Sequence, residues 1–304
     1  MTFIVVNFIF IILIFLISAV IARILIPRIL LISLRKKLFD IPDDRKVHKR
    51  AIPRLGGVSF FPTTLFAFCL VYTFRLLGGD SVSTLYASYL LPELLLFACG
   101  MTLLYLTGIA DDLVGVRYRQ KFVIQIFCAC LFPLSGLWIN DLYGLFGIHE
   151  LSVYVGIPFT ILTVVFITNA INLIDGIDGL ASGLSSVALL IFTFLFIEKG
   201  LWSYAMLAAG TFGVLVPFFY YNVFGSVERA RKIFMGDTGS LTLGYTLSFL
   251  AIKYSQHNAD IMPYTEGAFI IAFSTMIIPA FDVVRVVLVR IREGPVSYTH
   301  LTLP

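Results

Sequence analysis

The residues with chemistry to offer are carboxylates, and they come in three short clusters. These are the adjacent pair Asp111 and Asp112, the group Asn172, Asp175 and Asp178 in NLIDGIDGL, and Asp237 in FMGDTGS. Adjacent carboxylates repel one another. This pair also falls at the C-terminal end of an apolar run, where the macrodipole of a helix disfavours negative charge. Unless a cation stands there the arrangement costs stability, which points to function. Asp178 and Asp237 admit a second reading, as N-caps of the helices that follow them. A carboxylate-lined site without Cys or His clusters suits a hard cation. Mg²⁺ takes oxygen ligands, few of them protein carboxylates, and keeps room for water and substrate phosphates; Mn²⁺ is the alternative.

Groups able to hold phosphate lie in the basic segments. DIPDDRKVHKRAIPRLGG (40–57) interleaves Arg45, Lys46, Lys49, Arg50 and Arg54 with His48, two prolines and the paired Gly56 and Gly57. Arg offers phosphoryl oxygens a planar fork and Lys a point charge. Topology signalling and contact with anionic lipid account for Arg35, Lys36 and Lys37, but not for this denser pattern. Gly56 and Gly57 allow a tight turn or a close backbone approach. Asp282 and Arg285, three apart, share a helix face, either as a self-satisfying pair or as a functional one.

The elements that must position these residues are membrane helices. Hydrophobic residues make up 59% of the 304 positions, charged residues 13%, and mean hydropathy is +0.95. A soluble domain carries about 25% charged residues. The net charge of +4 is too small to argue for nucleic acid. Nine runs are long enough to span a bilayer: about 3–26, 56–77, 91–110, 122–140, 153–171, 179–197, 201–221, 239–255 and 266–290. They are continuous rather than alternating, which excludes strands. The first has no basic flank before it and is too long for a signal-peptide core, so it reads as a span that stays. Most Lys and Arg lie in the odd-numbered connections, which places those in the cytoplasm and the N-terminus outside. All the carboxylate clusters then share the cytoplasmic face. Trp138 and Trp202 fall near the outer interface. The cysteines, Cys69, Cys99, Cys128 and Cys130, sit in apolar runs without metal-ligand spacing and read as small buried hydrophobes. The fold class is an all-α integral membrane protein with one membrane domain.

Together the motifs resemble the polyprenyl-phosphate N-acetylhexosamine-1-phosphate transferases, the superfamily that includes the lipid I synthase of peptidoglycan assembly. The matching stretches are DIPDDRKVHKRAIPRLGG (40–57), GIADDLVGVRYRQKFVIQ (108–125), NAINLIDGIDGLASG (169–183) and FMGDTGSLTLG (234–244), in the family's order and spacing. The resemblance implies ten or eleven spans in a complete member. It also implies a reaction: undecaprenyl phosphate attacks the β-phosphorus of a UDP-N-acetylhexosamine, and UMP leaves. By the same resemblance Asp237 is the metal ligand, with Asn172 as a second one. Asp111 and Asp112 are the paired catalytic carboxylates, orienting or deprotonating the lipid phosphate. Lys121 contacts phosphate. Asp175, Gly176 and Asp178 belong to the nucleoside-side loop, and His48, Arg54 and Asn222 to substrate binding.

Within the superfamily, RKVHKRAIPRLGG is similar to enzymes that begin O-antigen, enterobacterial common antigen or teichoic acid linkage units. UDP-N-acetylglucosamine is therefore the expected donor, ahead of a modified hexosamine, with lipid I synthesis behind. The segment between Asn222 and Asp237 is longer than in many members. After RIREG the family continues into a loop with clustered histidines. This chain reads PVSYTHLTLP instead, so the membrane domain is expected over 1–294 and the tail 295–304 is expected to be foreign to the family. The competing readings are a transporter or lipid flippase, whose sites sit near the bilayer midplane, and an inactive homologue.

Overall fold

Apolar runs cannot face water, and lipid leaves no partner for an unpaired backbone, so the local solution is the α-helix. The protein is described from a computed structural model covering residues 2–36, 38, 52–78, 82–226, 230–258 and 264–293. These residues form α1 (Thr2–Lys36), α2 (Phe60–Leu77), α3 (Val82–Val114), α4 (Tyr118–Leu134), α5 (Val153–Ile174), α6 (Leu180–Glu198), α7 (Trp202–Val223), α8 (Gly236–Ser255), α9 (Ala268–Ser274) and α10 (Ile277–Glu293). An isolated β-bridge pairs Asp141 with Glu150, in the connection between α4 and α5.

Every expected span coincides with a helix, but not all have the length and hydropathy to cross a membrane alone. Among the described residues six do: Ile4–Lys36, Gly56–Leu77, Leu90–Val114, Val153–Ile174, Leu180–Glu198 and Trp202–Val223. The ninth run is broken into α9 and α10, bent by 71°, and makes a seventh span if the pair counts as one. The fourth run yields only the 17 residues of α4, short of the roughly 20 that cross a hydrocarbon core. The eighth differs in kind. Helix α8 is rich in Gly, Ser and Thr, yet it is buried along nearly its whole length, packed against α3 and α5. Its hydroxyls bond back one turn: Thr242 to Thr238 O at 2.7 Å, Thr246 to Thr242 O at 2.8 Å, and Ser248 to Gly244 O at 2.8 Å. No polar group is left facing its neighbours unpaired, and small residues let backbones approach. Low hydropathy here marks a helix shielded from lipid.

Around this axis the outward faces of α1, α2, α3 and α6 present large apolar side chains such as Ile9, Phe66, Leu95 and Phe194, as a lipid-facing surface requires. This is a multi-pass membrane protein. Away from the acidic clusters, Lys253 is buried. Its Nζ meets Glu93 at 2.8 Å, and Tyr204 donates to the same carboxylate at 2.5 Å. Removing one member would strand a buried charge, at a cost of about 3–5 kcal/mol. One expectation needs correction. Cys69 and Cys99 are exposed on outward faces, not buried. Trp202, the first residue of α7, is buried in an edge-to-face contact with Phe8. Asp282 and Arg285 pair with each other at 2.6 Å.

Candidate active site

The site is assembled around the first turn of α8. Glycines bring its neighbours close enough. Gly108 of α3 lies against the backbone of Thr238, and a side chain at Gly57 would collide with the backbone of Gly239. The chain ahead of α2 is tied to the chain ahead of α8 by backbone bonds: Gly56 N–H to Phe234 O at 2.9 Å, Gly57 N–H to Met235 O at 2.8 Å, and Phe234 N–H to Pro53 O at 2.8 Å. The paired glycines therefore serve close approach.

One helical turn beyond Gly108, Asp112 faces the same neighbour. Its Oδ1 accepts the Asp237 N–H at 2.8 Å. Its Oδ2 accepts the Thr238 N–H at 3.0 Å and the Thr238 hydroxyl at 2.6 Å. The residue preceding α8, Met235, offers no side-chain cap, so a carboxylate from α3 satisfies the orphan N–H groups. Asp111 turns the other way. It accepts the Val116 N–H at 2.7 Å, closing the loop after α3, and meets Lys121 Nζ at 3.1 Å. The two adjacent carboxylates thus diverge, each with its own donors.

Lys121, on α4, bridges Asp111 to Asp237, with Nζ 2.6 Å from the latter. Asn172, near the end of α5, donates its amide to Asp237 and also to Ser240 Oγ at 2.7 Å. Asp237 therefore stands where α3, α4, α5 and α8 meet. Capping does not describe it, because the cap is Asp112. Nor does capping describe Asp178, which pairs with Lys232 at 2.5 Å while Gly179 holds the cap position of α6. Asp175 follows α5. Burial, then the charges of Asp237 and Asp112, hold its carboxyl well above the usual carboxylate range, against the Gly236 N–H and the Arg54 guanidinium.

Asn222 is buried and braces the site from behind: its Oδ1 accepts the Gly179 N–H at 2.7 Å and its amide donates to Ile233 O at 3.0 Å. Gly176 is exposed at the loop tip, and Arg54 is exposed beside the site. His48 lies outside the described residues, as does the tail after Glu293. Sequence reasoning assigned no role to Thr238, Ser240, or the pair of buried Gln125 and half-buried Asn169, whose Asn169 amide donates to Gln125 at 2.7 Å. The signal for Thr238 and Ser240 was their place in GDTGS. For Gln125 it was a lone amide in an apolar helix.

Among the described residues no group of three or more His, Cys, Asp or Glu forms a ready-made metal cage. Mg²⁺ does not need one, since it commonly takes only one or two protein carboxylates. The donor set fits such an ion. Burial, and after it the charge of neighbouring Asp237, disfavours the ionised carboxylate of Asp175. A divalent cation would offset this.

The sequence model of the family described as Glycosyl transferase family 4 matches residues 94–255, more than half of the chain. The chain belongs to that family. Relatives agree along most of its length. A Bacillus subtilis (strain 168) protein named "Probable undecaprenyl-phosphate N-acetylglucosaminyl 1-phosphate transferase" is 29% identical over 268 residues, covering 88% of this chain and 68% of the relative. The undecaprenyl-phosphate alpha-N-acetylglucosaminyl 1-phosphate transferase of Yersinia pestis is 29% identical over 270 residues, covering 86% and 67%. That of Escherichia coli K12 is 28% identical over 271 residues, covering 86% and 66%. The family match begins in the N-terminal half of α3 and ends with α8, and so encloses Asp111, Asp112, Lys121, Asn172, Asp175, Asp178 and Asp237.

Proposed function

We propose that this protein transfers N-acetylglucosamine-1-phosphate from UDP-N-acetylglucosamine to undecaprenyl phosphate at the cytoplasmic face of the bacterial inner membrane. The reaction opens the assembly of a cell-envelope polysaccharide of the O-antigen or teichoic acid kind. The observation that carries this reading is Asp237, held by Lys121 and Asn172 beside Asp175, at one end of a membrane bundle. A site at that end meets a water-soluble nucleotide sugar and a lipid phosphate together.

In the reaction an oxygen of the lipid phosphate forms a bond to the β-phosphorus of the donor. The bond from that phosphorus to the bridging oxygen breaks, and UMP leaves with the electron pair. Catalysis of this type consists mainly of positioning and charge neutralisation. Asp237 and Asp175, with the Asn172 amide oxygen, would hold Mg²⁺, which neutralises the phosphate oxygens when bound. Lys121 is placed to contact a phosphoryl oxygen while Asp111 keeps it in register. Asp112 acts as a positioning residue, fixing the first turn of α8 and with it Asp237. The loop of Asp175, Gly176 and Asp178, anchored by Asn222 and Lys232, receives the nucleotide, and Arg54 and His48 complete the phosphate contacts. No general base is required, because a phosphate monoester with a second pKa of about 6 is already largely ionised at neutral pH.

Membranes containing the protein, supplied with undecaprenyl phosphate, UDP-N-acetylglucosamine and Mg²⁺, should release UMP. Chelation with EDTA should abolish release and added Mg²⁺ restore it. Asp237→Ala should lower turnover by orders of magnitude with the protein still inserted; unchanged turnover would overturn the assignment. Competing UDP-sugars in the same assay test the donor.

A further inference from the structure

A second polar site lies on the other side of α7. Between α1, the end of α7 and the connection that follows it is a cavity of about 470 Å³, lined by Arg23, Tyr220, Tyr221, Phe224 and Arg231, among others. Arg23 interrupts the longest apolar helix in the molecule, where an isolated cation is costly. It is held in one pose: NH1 donates to the Tyr221 hydroxyl at 2.6 Å, and the guanidinium lies 5.5 Å and 5.2 Å from the ring centres of Tyr220 and Tyr221. Neutral tyrosines orient this charge without cancelling it. Among the described residues no carboxylate forms an ion pair with Arg23 or Arg231. Tyr221 is two residues from the end of α7, so Arg23 stands level with the end of the bundle that carries the acidic site.

We propose that this groove binds the headgroup phosphate of an anionic phospholipid between Arg23 and Arg231. Free phosphate shares the charge, but the rim distinguishes them. Leu31, Tyr220 and Phe224 beside the two cations are 44%, 52% and 69% exposed, an apolar wall that suits acyl chains. Basic pockets between helices at a membrane interface are where such headgroups dock. The bound lipid would also clamp the connection to α8. Gly225, Ser226, Ala230 and Arg231 line the groove, and the next residue, Lys232, is the partner of Asp178. The inference rests on the multi-pass architecture and is independent of the transferase reading.

The test uses the full chain in neutral detergent, with phosphatidylglycerol, phosphatidylcholine or inorganic phosphate added. Lipid retention is read by native mass spectrometry and stabilisation by the unfolding midpoint. Phosphatidylglycerol should be retained and should raise the midpoint; the other two should not. Arg231→Gln should weaken retention by about tenfold or more, since each charged contact to phosphate contributes roughly that factor. Arg285→Gln should change nothing. Arg23→Gln should act like Arg231→Gln. If it instead fails to fold, the Arg231→Gln result alone decides. Equal retention by wild type and Arg231→Gln, or equal retention of the two lipids, would overturn the proposal. A midpoint shift produced by inorganic phosphate alone would overturn the lipid assignment in favour of a soluble anion.

Discussion

Asp112→Asn separates the two roles that its neighbourhood suggests. Three donors converge on the carboxylate: Asp237 N–H on Oδ1, and the Thr238 N–H and hydroxyl on Oδ2. An asparagine keeps one acceptor oxygen and turns the other into a donor. The least costly choice keeps the oxygen toward Thr238 and leaves the Asp237 N–H opposed, at about 1–3 kcal/mol. Loss of the negative charge at the start of α8 adds about 0.3–1 kcal/mol, or up to ~2 in a partly buried place. A destabilisation of about 2–4 kcal/mol corresponds to a midpoint lower by roughly 3–6 °C for a chain of this size. Unfolding in detergent, followed by tryptophan fluorescence, would measure it beside UMP release. Asp111→Asn is the comparison, since its carboxylate caps no helix and accepts the Val116 N–H and Lys121. It should cost no more than about 1–2 kcal/mol while still lowering turnover through Lys121. If Asp112→Asn melts with wild type yet loses activity, the capping argument fails and Asp112 acts on substrate.

Lys121→Met leaves Asp111 and Asp237 without their shared cation. It should lower kcat by about a hundredfold or more, and Lys121→Arg, with its different fork, should restore little; full activity in either variant would remove Lys121 from the site. Asn222→Ala unpairs the Gly179 N–H and the Ile233 carbonyl. It should destabilise by about 2–4 kcal/mol and raise KM for the nucleotide sugar more than it lowers kcat, which steady-state kinetics can check. Gly57→Ala forces a methyl group into the backbone of Gly239, and at a cost of about 1–3 kcal/mol or more the folded yield in membranes should fall.

Much of this molecule was legible in the chain. The expected spans fall on helices, one of them on the bent pair α9 and α10, because lipid allows no other local solution for long apolar runs. The four motif segments identified the family before any contact was known, since Asp, Asn and Lys in apolar surroundings are few and costly enough to mark function. Hydropathy could not rank α8: it reads as a weak span because its hydroxyls are satisfied within the helix, yet it is the buried axis. Nor could spacing show that Asp111 and Asp112 part company. Their divergence depends on which helix lies against each face of α3, and Gly108 decides that by admitting α8. Nor could spacing show that both halves of the Asn222 amide are taken by backbone groups, of Gly179 and Ile233, which only the fold brings to it. Composition and pattern determined that this is a membrane helix bundle with an acidic face. Only the tertiary packing gathered that face around Asp237, because carboxylates far apart along the chain become one site only when close-packed helix ends hold them there.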